Sequence, residues 1–313
     1  MRILHIDFMG NGSAYWGRTL SSMCDLYVFL PITSNIPDMS AALNTKPTHI
    51  VCGGGFYAFA NDAQEQLQML SHYKQNNNVA GFSYYGDGGT DLQSMGFYMQ
   101  LYLNKIVDVI FCSSDDAVNV CRENGIKSEY KPHPVPDLFF NFNQPLPLIW
   151  DWCFTGNHQS ERHKIISLAK TISSNCIIRG LGHKIAVPQS SYEETAIIYR
   201  HSKIVLNITI SECISLSRYF SDRLPMALCG GRFCLTNYQK NLEMVFKRGK
   251  HLDWYSSEDE LKDKMIYYIN NDNVREEIAK NGYFLAKDTF TMKKLLSYFL
   301  ATAEKINNEK TNE

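Results

Sequence analysis

Short apolar, β-branched and aromatic runs recur along the chain, spaced to leave room for a helix between successive runs. In the first half they are RILHIDF (2–8), DLYVFLP (25–31), HIVCGG (49–54), VAGFSYYG (79–86) and VDVIFCSS (107–114). In the second half they are WDWCFTG (150–156), NCIIRGLG (175–182), KIVLNITI (203–210), GRFCLTN (231–237) and KHLDWYS (250–256). Runs that are continuously apolar, rather than alternating, suit strands buried on both faces. Interleaved with helices, they predict parallel sheets. Two such series predict an α/β protein of two doubly wound, Rossmann-like domains. A length of 313 residues fits two cores of roughly 150 residues better than one.

The join between the series is marked by proline. Residues 131–150, KPHPVPDLFFNFNQPLPLIW, hold five of the ten prolines. Proline fixes φ and lacks an N–H donor, so this stretch reads as an extended interdomain connection, the alternative being a long surface loop inside one domain. The expected division is 1–140, 150–290 and a closing helix and tail at 291–313. Near the end, SSEDELKDKMIYYINN opens on Ser-x-x-Asp and Ser-x-x-Glu capping patterns at Ser256 and Ser257. Leu261, Met265, Tyr268 and Ile269 then fall on one helical face. Two further helices are expected over 272–288 and 291–310.

Composition narrows the classes of partner. A net charge of −1 gives no overall electrostatic pull toward nucleic acid or an acidic membrane. The nine cysteines include no C-x-x-C pair and sit largely in apolar runs, which suits reduced, buried thiols. No cysteine–histidine spacing suggests zinc. The N-terminus lacks a signal-peptide layout and there is no 18-residue apolar run, so a soluble, cytoplasmic protein without a membrane span is expected.

Glycines cluster where predicted strands end: CGGGF (52–56), YYGDGGTD (84–91), FTGN (154–157) and GLGHK (180–184). In open α/β sheets ligands bind at those ends, and glycine lets backbone N–H groups approach a phosphate. Tight turns also use glycine. Four such loops in two domains nonetheless point to a phosphate-bearing ligand in a cleft between them. No Walker A sequence is present, and no G-x-G-x-x-G opens a helix after the first strand.

From residue 151 to about 290 the chain resembles glycosyltransferases of the GT-B fold, and among them the spore-coat-protein CgeB-like family. The segments that carry the resemblance are DWCFTGNHQSERHKIISLA, YRHSKIVLNITI, SDRLPMALCGGRFCLTNY and FKRGKHLDWYSSEDELKDKMIYYINNDNVREEIAKNGY. The first half matches only as a generic Rossmann-like domain. The resemblance implies a nucleotide-sugar donor bound by the second domain, with the helix before Gly230 and Gly231 facing it. It also implies a glutamate three residues after the helix arginine, holding the donor ribose. Here Leu224, Pro225 and Met226 follow Arg223, and that carboxylate is missing.

On this reading Gly156 and Asn157 offer backbone amides to a donor phosphate at a helix start. Arg162, Arg218 and Arg223 are diphosphate candidates, or else ordinary surface arginines. Tyr255 is a candidate stacking residue for base or sugar, or else core. No D-x-D metal motif stands at a strand end, so the expected chemistry is metal-independent, without a cofactor beyond the donor. If the anomeric centre inverts, a base must take the acceptor proton. Asp87 is the first candidate, Asp91 the second, and His133 in the connection a third, each with an ordinary turn or structural role as the alternative. The acceptor is left open among a glycan, a protein and a hydroxymethylated DNA base. The alternatives to transfer are a nucleotide-sugar 2-epimerase and a silent nucleotide-sugar-binding protein.

Overall fold

A computed structural model of the chain describes residues 1–8, 11–32, 39–53, 64–90, 92–140, 146–157, 159–180 and 190–311. The chain divides into two units, Met1–Pro132 with Met292–Glu313, and His133–Thr291. The first unit contains β1 (Arg2–Phe8), α1 (Asn11–Ser21), β2 (Leu26–Ile32), α2 (Met39–Asn44), β3 (His49–Cys52) and α3 (Gln64–Asn76). It continues with β4 (Ala80–Tyr85), α4 (Leu92–Leu103), β5 (Val109–Cys112), α5 (Asp115–Glu123) and β6 (Ser128–Tyr130). The second unit contains β7 (Trp150–Thr155), α6 (Ser160–Ile172), β8 (Cys176–Arg179), α7 (Tyr192–Arg200), β9 (Ser202–Asn207) and α8 (Ser211–Ile214). It closes with α9 (Arg223–Cys229), β10 (Phe233–Asn237), β11 (Asp253–Tyr255), α10 (Glu258–Asn270) and α11 (Asp272–Thr289). The chain then returns to the first unit as α12 (Met292–Thr311).

Both sheets are parallel and share one winding. The first has the order β2-β1-β3-β4-β5-β6, the second β11-β10-β9-β7-β8. In each, the second strand lies on one side of the first and the third strand on the other. The direction of winding therefore reverses between β1 and β3, and again between β7 and β9.

The first sheet is covered differently on its two faces. On one, Leu4, Ile6, Ile50 and Ile110 pack with Met39, Leu67, Leu70 and Leu101. The other carries an aromatic layer. Phe299 of α12 stacks on Phe111 at 4.1 Å and on Tyr84 at 5.8 Å, and meets Phe82 edge-on at 5.4 Å. A polar bolt secures the same helix: buried Asp108 accepts from Lys74 (2.7 Å), from the Gly81 N–H (2.8 Å) and from Lys310 of α12 (3.1 Å). The closing helix thus completes the core of the N-terminal unit, although it follows the second unit in sequence.

The proline-rich stretch is packed rather than loose at Val135 and Phe139. The Val135 N–H donates to the Phe290 carbonyl at 2.8 Å, and buried Phe139 sits in a short 3-10 turn within the second unit's core. The capping serine of α10 is Ser257, whose side chain accepts from the Glu260 N–H at 3.1 Å while Glu260 accepts from the Ser256 N–H. Gly230 and Gly231 end α9. The Arg232 N–H reaches the Ala227 carbonyl and the Gly231 N–H the Leu228 carbonyl, with Gly231 at φ 63°. This is the paired-bond helix stop that needs a left-handed residue, hence glycine.

Phe299 is fully buried among rings contributed by β4, β5 and α1, so Phe299→Ala should cost about 3–5 kcal/mol in urea unfolding. Near-UV circular dichroism of the aromatic layer should report the same transition.

Candidate active site

The second sheet's winding reverses at β7, and there a pocket of about 240 Å³ opens beyond the strand ends. Such a reversal leaves adjacent loops on opposite faces of the sheet, and the crevice between them is where open α/β sheets take ligands. Thr155, Gly156 and Asn157 line it from the turn after β7, and Arg179 from the end of β8. Tyr192, Thr195 and Tyr199 contribute from α7, and Asp222, Arg223 and Met226 from the start of α9.

Arg223 is set in place by a buried amide. Asn207, the last residue of β9, accepts from Arg223 Nε at 3.3 Å and from Ser221 Oγ at 3.1 Å through the same Oδ1. Its Nδ2 donates to Thr236 Oγ1 at 3.0 Å, and Gln239 Nε2 donates to that hydroxyl at 2.9 Å. Asn207, Thr236 and Gln239 are fully buried. A buried polar group that loses its partner bears the whole desolvation cost, so this network has one low-energy arrangement. It directs the guanidinium toward Gly156, where a β-carbon would stand 3.2 Å from Arg223 Nη1.

The turn after β7 is held from two sides. The Gly156 N–H donates to the Arg179 carbonyl at 3.0 Å. A β-carbon on Gly180 would lie 1.7 Å from the Gly156 carbonyl oxygen, so only glycine allows the two turns to meet. Behind the turn, Arg162 donates from Nη1 to the Asn157 carbonyl at 2.9 Å and from Nε to the Ile208 carbonyl at 3.0 Å. Burial, and then the neighbouring Arg223 charge, pull its guanidinium down to about 10, which leaves it charged at neutral pH. Across the pocket, Tyr199 Oη and Thr155 Oγ1 share a hydrogen bond of 2.6 Å, and burial raises the tyrosine's pKa.

The residues singled out in the sequence therefore separate. Gly156, Asn157 and Arg223 come together at the pocket. Arg162 lies outside the lining, with two of its nitrogens committed to backbone carbonyls. Gly230 and Gly231 cap the far end of α9 and do not line the pocket. Arg218 stands on left-handed backbone (φ 55°) with its N–H on the Lys240 carbonyl, also outside the lining. Tyr255 is core, packed with Phe233 and Leu261. In the first unit, Asp87 is exposed in the turn after β4, where Ser113 and Ser114 hold the Gly86 and Gly88 carbonyls. His133 is half-buried with its ring edge-on to Tyr219, and Asp91 falls outside the described residues.

The α7 side chains were not among the sequence candidates, because nothing local marks that helix as different from any amphipathic one. Asp222 carried a weak signal, being adjacent to Arg223. Among the described residues it is the only carboxylate in the lining, and its side chain makes no capping bond to α9.

Two parallel, helix-covered sheets of this winding make the GT-B fold. Residues 171–301 match the family model described as glycosyl transferase-like. Among solved structures, a glycosyltransferase from Rickettsia africae superposes with a TM-score of 0.69 at 10% identity, covering 97% of this chain and 98% of that one. HepE from Anabaena, in complex with UDP-glucose, gives 0.66 at 9% identity, covering 97% and 100%. The DNA-modifying enzyme β-glucosyltransferase, solved in the presence and absence of uridine diphosphoglucose, gives 0.64 at 11% identity, covering 98% and 100%. No curated protein matches the chain in sequence. Among the described residues, no helix is long and apolar enough to cross a membrane.

Replacing Asn207 with leucine removes the common partner of Ser221, Arg223 and Thr236. Asn207→Leu should destabilise the protein by roughly 1–3 kcal/mol in denaturant unfolding, the usual cost of leaving buried polar groups unpaired.

Proposed function

We propose that the chain is a glycosyltransferase that moves a hexose from a UDP-sugar to an acceptor hydroxyl. The observation that carries this reading is the braced cation at the switch point: Arg223, fixed by Asn207, faces a glycine-tightened turn inside a pocket at the strand ends. A leaving nucleoside diphosphate gains negative charge as the bond to the sugar breaks. A pre-positioned guanidinium stabilises that charge without reorganising. Arg162 adds a second positive charge close behind the turn. Together they support transfer without a metal ion or cofactor. The match of residues 171–301 to the glycosyl transferase-like model supports this reading.

The donor ribose is proposed to meet Asp222, the carboxylate available in the lining, since Met226 occupies the position where related sequences bring a glutamate. UDP-glucose is the donor to test first, because it is bound in the structure of HepE and is the substrate named for the DNA-modifying β-glucosyltransferase. That second neighbour keeps a modified DNA base among the acceptors beside glycans and proteins, although the chain's net charge of −1 supplies no general attraction to DNA. Met226 also favours a second reading, a silent nucleotide-sugar-binding protein. Release of UDP during incubation with UDP-glucose separates the two, and analysis of the sugar product separates transfer from 2-epimerisation.

In a thermal-shift panel of UDP-, GDP-, dTDP- and CMP-sugars, the UDP-sugars should raise the melting temperature most, and increasingly with concentration. Arg223→Ala should weaken UDP-glucose binding roughly 10- to 150-fold by calorimetry, corresponding to about 1.5–3 kcal/mol for a hydrogen bond to a charged group. Unchanged affinity would move the diphosphate elsewhere.

A further inference from the structure

The first unit holds a cavity of its own, at the amino ends of β4 and β5. Its volume is about 760 Å³, against about 240 Å³ for the pocket after β7. That lies within the span of roughly 300–1,000 Å³ usual for small-molecule sites. The turns leading from α3 into β4 and from α4 into β5 form two of its sides, and the last turns of α12 form a third. It shares no lining residue with the pocket after β7.

The floor is the buried ion pair of Lys74 and Asp108, 2.7 Å apart. Lys74 also donates to the Val79 carbonyl and, at 3.3 Å, to Asn307 Oδ1. That second bond settles the Asn307 amide: its oxygen meets the ammonium, and its nitrogen donates to Asn78 Oδ1. What Asn78 can then offer a ligand is its Nδ2 donor. Asn76 and Asn77 are set the other way. Their nitrogens donate to the His72 and Tyr73 carbonyls, each at 2.8 Å, so these two amides offer oxygen. One wall thus carries a donor and two acceptors in set orientations. Tyr102 and largely exposed Leu103, at the end of α4, supply an apolar wall. The Lys310 ammonium lies 5.6 Å from the Tyr102 ring centre and ties that ring to the floor through its bond to Asp108.

The charges of the lining nearly cancel. Lys74, Lys105 and Lys310 bring three positive charges and Asp108 one negative. The helices α3, α4 and α12 all end beside the cavity, and each carboxyl end carries roughly half a negative charge. A fully charged ligand therefore gains little there. Set amide donors and acceptors facing an aromatic and aliphatic wall suit a ring with hydroxyls on its rim and C–H groups on its faces. We propose that this cavity binds a neutral oligosaccharide, its hydroxyls on the amides of Asn76, Asn77 and Asn78 and a C–H face against Tyr102 and Leu103. The inference stands on the first unit alone and does not depend on the transfer proposed for the pocket after β7.

The test is saturation-transfer NMR and calorimetry on the full chain, with maltotriose, cellotriose and chitotriose as neutral probes and trigalacturonate as the acidic one. At least one neutral trisaccharide should bind saturably, and more tightly than trigalacturonate. Asn77→Ala should weaken that binding roughly 2- to 10-fold, the worth of one neutral hydrogen bond. Tyr102→Ala should weaken it roughly 10-fold, whereas Tyr102→Phe, which keeps the ring, should bind as the wild type does. Leu103→Ser, on a largely exposed side chain, should leave the melting curve unchanged and still weaken binding roughly 3- to 10-fold. Three results would each overturn the proposal: no saturable binding of any neutral trisaccharide, tighter binding of trigalacturonate, or neutral binding that Leu103→Ser and Tyr102→Ala leave at wild-type strength.

Discussion

One side-chain amide organises the second unit. Asn207 ends a central strand, fully buried, and its oxygen takes hydrogen bonds from a serine and an arginine on the segment that enters α9. Its nitrogen is tied to the neighbouring strand through Thr236. In water such bonds contribute little net free energy. In the interior, the cost of breaking them sets one geometry above the alternatives. That geometry holds a guanidinium at the strand ends, where a long, flexible side chain would otherwise lose considerable entropy on being ordered by a ligand. Preparation of the cation before binding is what the proposed chemistry requires of the fold.

In the first unit, fully buried His5 lies in an aromatic layer beside Trp16 and Phe29. That layer depends on Phe299, supplied by a helix that comes back from the far end of the chain. Contiguous sequence is therefore not the unit of stability here. The N-terminal sheet is complete only when α12 is in place, and Asp108 secures that helix through Lys310.

The sheets were legible because buried parallel strands are apolar along their whole length, and each of the ten runs from RILHIDF to KHLDWYS contains a strand, β6 alone lying outside them. Ser257 was legible as a cap because its chemistry is local. Arg223 and Gly156 could be found by their place at strand and helix ends. What stayed hidden depends on distance across the fold. Gly230 and Gly231 look alike whether they cradle a phosphate or end a helix; the bond from the Arg232 N–H to the Ala227 carbonyl decides for the second. Tyr255 reads as a stacking aromatic until Phe233 and Leu261 close around it. The pairing of Tyr199 with Thr155 joins residues far apart in sequence, and nothing local announces it.

The central claim is that the pocket after β7 receives the diphosphate of a sugar nucleotide. A crystal of the protein grown with UDP tests it most directly. The account predicts density for the two phosphates in contact with the Arg223 guanidinium and the Gly156–Asn157 turn, with Asn207 still bonded to Arg223. UDP bound elsewhere on the molecule, or an empty pocket at saturating UDP, would contradict it.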